Sequence, residues 1–444
     1  MESSEGKAPN MSRFDNVSTK QRRIAELAKD APDMAMDLSH HMDLEWFVEA
    51  YRRTRKNGAL GIDGQSAQEY AENLEENLRS LLDRAKSGRY RAPAVRRVHI
   101  PKDAEGKETR PIGIPTFEDK VLQRAVAMAL EPVYEQDFLN CSYGFRPRRS
   151  AHQAIAAVRS PLMGMGGGFV IDLDIRKYFD SISHQHIQSI FRKRVRDGVL
   201  VRLIGKWLNA GVMEDDITTY QDTGVPQGGV ISPILSNIYL HEVLDGWFDE
   251  VVKPRLRGKA SMVRFADDAV LMFERLDDAE RMMDVLPKRF AKYGLALHPE
   301  KTRLVYFKKP MDGEEGTKRS ETFNFLGFTH FWAKSRNGYW VIKHKTAKDR
   351  LARSLTRLSV WLRKVRHEPI AEQHKKLCSK VRGHIQYYGI RGNSRAISCM
   401  VYRTHLLWKK WLSRRSRKAK KDWRWFNGIL ERFPLPKPII SHSC

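Results

Sequence analysis

The chain has 444 residues, 41 % hydrophobic and 10 % aromatic, enough for two or three folded domains. Its 79 Lys and Arg against 53 Asp and Glu leave a formal charge of +26, an excess beyond solubility tuning that points to a polyanionic partner. No stretch of roughly 18 uncharged apolar residues is present, so no membrane-spanning helix is expected, and Cys141, Cys378, Cys399 and Cys444 form neither a disulfide framework nor a zinc pattern.

Residues 1–20 read as a flexible lead-in without the apolar core of a signal peptide, which with the scattered thiols predicts the cytoplasm of a bacterial cell. Residues 20–87 read as largely helical, broken by a Gly-rich loop at 57–64. Two strands follow at 95–101 and 110–115, around a polar segment 102–108. A helix pattern returns over 118–136. Gly166-Gly-Gly-Phe-Val-Ile-Asp-Leu-Asp-Ile175 reads as a loop feeding a buried strand, and two-residue periodicity puts Asp172 and Asp174 on one face of it. Helix signals resume at 185–209 and after Pro233.

Met262-Val-Arg-Phe-Ala-Asp-Asp-Ala-Val-Leu-Met272 follows: two apolar strands with adjacent acids between them, a tight hairpin with Asp267 and Asp268 at its tip. Neighbouring carboxylates repel, so the arrangement costs stability unless a divalent cation neutralises it. A solvated Asp-Asp turn is the plain alternative. A two-metal nucleotidyl-transfer site needs acids from a second segment as well, because one hairpin cannot surround both ions. Asp174 is the candidate, with Asp172 as an alternate. A helix is predicted near 277–293, then strands at 295–307 and 321–331. From 346 onward long helical patterns, dense Arg and Lys and five tryptophans mark a second, all-helical basic domain (346–444) after a mixed α/β unit (21–345).

Seven blocks in order resemble the group II intron-encoded reverse transcriptases. They are Arg110-Pro-Ile-Gly-Ile-Pro115, Ser142-Tyr-Gly-Phe-Arg-Pro147, Asp174-Ile-Arg-Lys-Tyr-Phe-Asp180, the block from Gly224-Val-Pro-Gln-Gly-Gly229 to Tyr239, Phe265-Ala-Asp-Asp268, Phe323-Asn-Phe-Leu-Gly-Phe328 and Gln386-Tyr-Tyr-Gly-Ile-Arg-Gly-Asn393. The resemblance runs from about residue 45 to about 440. It implies an α+β right-hand polymerase, fingers and palm, followed by a helical thumb or maturase domain. It places the catalytic, metal-binding triad on Asp174, Asp267 and Asp268, with two Mg²⁺ ions.

By the same resemblance Lys102 and Arg110 contact the incoming dNTP triphosphate, and Phe179 excludes a ribose 2′-hydroxyl by bulk. Gln227 lies in a glycine turn that approaches the nucleotide closely, and Lys301 protonates the leaving pyrophosphate, a surface lysine being the plain alternative. Arg414, Arg415, Arg417 and Lys418, with Tyr387 and Tyr388, are candidates for RNA binding through phosphate neutralisation and base stacking. Two departures stand out: Phe265 replaces the commoner Tyr, which spares both ligands, and no endonuclease block follows the thumb, as in the short members of the family.

The partners implied are an intron RNA or other RNA template, a DNA primer or target and dNTPs, with self-association left open. The function implied is RNA-directed DNA synthesis with splicing and retrohoming roles. Its rivals are an intron-free relative acting in repair or phage defence, and a non-catalytic RNA-binding splicing factor.

Overall fold

In the computed structural model the described residues are 11–101, 109–215, 217–220, 222–310, 320–416 and 422–442. Lys102, Arg417 and Lys418 fall outside them. A four-stranded antiparallel sheet lies at the centre, in the order 260–265, 268–273, 169–173, 303–306. Alternation along its strands builds two cores. Ile171, Leu173, Ala269, Leu271 and Phe273 enter the largest apolar cluster, beneath the helices Phe117–Asp137 and Leu276–Lys292. Val170, Val270, Met272 and Val305 point the other way, onto the helix Ala151–Gly164. Asp172 and Asp268 share this second parity, so the acids lie on the face where the smaller core gives out.

The N-terminal helix spans Met11–Asp30, so residues 11–20 are not the flexible lead-in that composition suggested. Val17 and Ile24 are buried, and Gln21 donates to the Met128 carbonyl at 2.9 Å. The next helix, Leu44–Arg53, is capped by Asp43, which accepts from the Trp46 amide at 3.0 Å. Trp46 is wholly buried and its indole donates to the Ala125 carbonyl. The predicted run 185–209 is two helices, His184–Arg194 and Gly198–Leu208, the second capped by Asp197.

A second sheet, in the order 109–114, 95–101, 212–214, 217–219, stands as an arm beside the first. The strand expected over 295–307 shrinks to Arg303–Tyr306, because 298–301 forms a turn closed by Thr302 N–H on the His298 carbonyl. The expected strand 321–331 is two strands, Phe323–Phe325 and Phe328–Lys334, folded about Leu326 and Gly327, both at positive φ. Trp340–Thr346 adds a third strand, which the sequence reading lacked.

Four helices follow, Lys348–Lys364, Ile370–Tyr388, Ser394–Ser413 and Trp423–Arg432, with their own core around Leu362, Val381, Trp408, Leu412 and Phe426. Among the described residues no helix is long and apolar enough to cross a membrane. Polar bonds tie this bundle to the small sheet: Asn393 donates to Thr346 Oγ1 at 2.8 Å and accepts from the Thr346 amide at 2.9 Å.

Candidate active site

The hairpin pairs Phe265 with Asp268, leaving Ala266 and Asp267 as its two-residue turn. Ala266 sits at φ +57, a left-handed conformation that this turn demands and that a non-glycine residue adopts at a cost. The strand Phe169–Leu173 pairs Leu173 with Ala269, so the next step along the register brings Asp174 level with Asp268. The three sequence-predicted aspartates therefore come together, with Asp172 two residues behind.

Each carboxylate feels the others. Burial, then Asp267, Asp174 and Asp172, push Asp268 up to about 6 although its side chain still meets solvent. Asp267 is raised by burial and by Asp174, against the lowering effect of Arg110 and Arg264. Asp172 is likewise pushed up to about 6 by burial, with Asp174 adding and Arg303 offsetting. Lys301 Nζ stands 3.7 Å from Asp174 Oδ2, and Arg303 Nε 3.7 Å from Asp172 Oδ2. With two acids turned toward basic side chains, no group of three His, Cys, Asp or Glu closes into a cage among the described residues. The donor set still fits Mg²⁺, because hard carboxylate oxygens that repel one another are what a hard divalent cation relieves.

What holds the turn was not legible in the sequence. Arg264 is fully buried and bonds Asp245 through Nε at 2.7 Å and Nη2 at 2.5 Å. Its Nη1 donates to Asn237 Oδ1 and to the Ala266 carbonyl at 2.9 Å, and Nη2 also reaches Ser142 Oγ. Asp245 ends a π-helical turn, His241–Asp245, a widened geometry frequent at functional sites. The Gly144 carbonyl accepts from Asn237, and a Cβ built on Gly144 would lie 2.2 Å from the Ala266 nitrogen. Thus the blocks 142–147, 224–239 and 265–268, far apart in sequence, meet around one guanidinium. A lone arginine inside an otherwise apolar strand was the available signal.

A second buried network sets the glycine turn. Asp119 accepts from Tyr90 Oη at 2.6 Å, Trp207 Nε1 at 2.7 Å and Gln123 Nε2 at 2.9 Å, and Gln123 in turn accepts from the Ile231 amide. Burial outweighs these bonds and pushes Asp119 up to about 6.

The remaining candidates divide. Arg110 lies exposed on the arm strand Thr109–Ile114, and its charge reaches Asp267. The Gln227 carbonyl accepts from the Gly113 amide at 2.6 Å, and Gly228, at φ +114, leaves no room for a Cβ against the Gly113 carbonyl. Phe179 is half-buried, its carbonyl accepting from Val225 on the strip that leads to Gln227.

Tyr387 and Tyr388 are half-buried. Tyr387 Oη donates to the Leu326 carbonyl at 2.9 Å, and both rings pack on Phe328, so each is held by the small sheet. Arg415 donates to the Arg366 and Glu368 carbonyls, so it closes a turn rather than standing free. Arg414 is exposed, stacked over Trp411 at 5.2 Å.

The family pattern of the reverse transcriptases (RNA-dependent DNA polymerases) matches residues 100–330, more than half of the chain, and the chain belongs to that family. Its relatives include a group II intron-encoded protein and an intron maturase. It is 39 % identical over 258 residues to protein YkfC of Escherichia coli, covering 56 % of this chain and 66 % of that one. It is 34 % identical over 244 residues to the group II intron-encoded protein LtrA of Lactococcus lactis, covering 55 % and 36 %. The mitochondrial nuclear intron maturase 2 of Arabidopsis thaliana is 29 % identical over 185 residues, covering 33 % and 25 %. Each match spans less than two thirds of the relative's own length.

Proposed function

We propose that the chain is an RNA-directed DNA polymerase of the right-hand kind. Residues 21–345 make its fingers and palm, and 346–444 a helical thumb that also binds intron RNA. The observation that carries this reading is the convergence of Asp174, Asp267 and Asp268 at one end of the central sheet, inside the stretch matched by the reverse transcriptase family. The reaction is attack of a primer 3′-hydroxyl on the α-phosphate of a dNTP, with pyrophosphate leaving.

Asp174, Asp267 and Asp268 would hold two Mg²⁺ ions, whose chemistry at such a site is activation of the hydroxyl and neutralisation of charge on the phosphate oxygens. Arg110, already within electrostatic reach of Asp267, offsets the triphosphate, with Lys102 as its partner. Phe179 excludes the ribose 2′-hydroxyl. The turn at Gln227 lets the backbone approach the nucleotide. Lys301, beside Asp174, hands a proton to the leaving pyrophosphate.

The names of a group II intron-encoded relative and an intron maturase support a maturase role; with it we propose splicing and retrohoming, with intron RNA, DNA target and dNTPs as partners in a bacterial cytoplasm. The deciding experiment is primer extension on an RNA template with dNTPs and Mg²⁺, wild type beside Asp267→Ala. Synthesis by the wild type alone supports the polymerase. Synthesis by neither, with tight salt-sensitive RNA binding, would leave a splicing factor.

A further inference from the structure

The block Ser142–Pro147 seats the acidic turn through Gly144, and its other end is built for a different task. Phe145 and Arg148 both adopt φ +59, the left-handed region that bulky side chains avoid. Arg146 and Pro147 lie between them. The Arg146 guanidinium is buried and bonded to Glu135 at 3.0 Å through Nε and Nη2, and Nη1 donates to the Leu139 and Ser142 carbonyls at 2.7 and 3.0 Å. Arg146 is clamped inward, while Phe145 and Arg148 are exposed.

The result is an aromatic ring, 55 % exposed, one residue along the chain from the glycine that touches Ala266. The ring therefore stands next in the chain to the glycine packed against the acidic turn. Beside the ring lies a cavity of about 220 Å³, walled by Phe145, Pro147, Pro233 and Ile234, with Arg124 and Glu131 deeper in. That is less than the roughly 300–1,000 Å³ of drug-sized sites, so it suits one planar ring system.

We infer that Phe145 stacks on a single unpaired nucleobase of the bound template or primer, seated over this cavity, with the exposed Arg148 neutralising a flanking phosphate. The inference rests on the polymerase reading and names a contact within it. Aromatic faces take any base, so the contact positions the strand without reading its sequence.

The test uses the full chain with an RNA template and DNA primer carrying 2-aminopurine, at the first unpaired template positions in one arm and at the primer terminus in the other. The wild type should quench the probe in one arm, which identifies the strand. Phe145→Gly, which accepts φ +59 and should melt no lower than the wild type, should lose the quench and bind primer–template about tenfold more weakly. Phe145→Leu should behave as the glycine variant and Phe145→Tyr as the wild type. Arg148→Ala should lower the salt slope of binding by about one. Identical fluorescence of wild type and Phe145→Gly in both arms, with wild-type extension intact, would overturn the inference. Failure of the wild type to extend any primer would instead overturn the polymerase reading.

Discussion

Arg264 and Asp245 form a salt bridge in which neither side chain touches solvent, two residues from the acidic turn. The arginine also holds the Ala266 carbonyl, so the ion pair and the turn are one unit. Burying two charges repays its desolvation cost only when the geometry is good and the remaining donors are satisfied. Here five acceptor atoms from four residues surround the guanidinium.

Breaking that pair should unfold the site and not merely loosen it. Asp245→Ala leaves a buried, unpaired cation and should cost about 3–5 kcal/mol in urea denaturation. The double variant Asp245→Leu, Arg264→Met should recover much of the stability and none of the DNA synthesis, because the Ala266 carbonyl stays unheld. Equal losses in single and double variants would refute the coupling.

The acids should trade stability for function. Asp268→Asn removes one member of a repelling set, so in metal-free buffer its melting temperature should rise above that of the wild type. Primer extension should fall by at least about 10³-fold, the scale of losing a preorganised electrostatic group. RNA affinity should stay within a few fold.

Gly144 is the point where two blocks touch. Gly144→Ala puts a methyl group 2.2 Å from the Ala266 nitrogen, and two packed backbones cannot both give way. A cost of about 1–3 kcal/mol is expected from overpacking, with extension lost beyond what the melting shift explains. Near-normal activity would mean that the turn tolerates displacement.

Acid should weaken the small sheet. His330 and His344 face each other across paired strands, and His330 is stacked on Phe323 with both ring nitrogens unpartnered. Burial, with the neighbouring His344, holds His330 well below its ordinary 6.5, and burial with Arg159 lowers His344 to about 4. Because the unfolded chain takes protons first, this contribution is whole above pH 6.5 and is lost as pH falls toward 4, by up to about 1.4 kcal/mol per pH unit for each histidine. His330→Leu should flatten that limb in denaturation curves at pH 7.5, 6.0 and 5.0. Asp119, raised to about 6, titrates with the opposite sign and should be unaffected by the variant.

Local chemistry made most of the elements legible. The hairpin at 262–273 and the strand ending at Asp174 follow from alternation of apolar residues around short polar turns, which is a property of neighbours in the chain. The first half of the helix Met11–Asp30 was missed because its polar residues outnumber the apolar ones, and Val17 counts only once a surface exists to bury it. The third strand, Trp340–Thr346, carries lysines at alternate positions and is a strand because Phe328–Lys334 pairs with it.

The sequence alone determined that three aspartates would sit at strand ends in a basic, mixed α/β chain, since adjacency, parity and charge are written locally. Tertiary structure alone decided what steadies them: Arg264 could have been a surface residue, Tyr387 and Tyr388 could have stood clear of the small sheet, and Asp119 could have been a solvated helix acid. Each was settled by which distant group it met on burial, where an unpaired charge or hydroxyl is costly and a matched one is held. That choice depends on contacts between segments a hundred residues apart, as Arg264 and Ser142 are, and no local pattern encodes it.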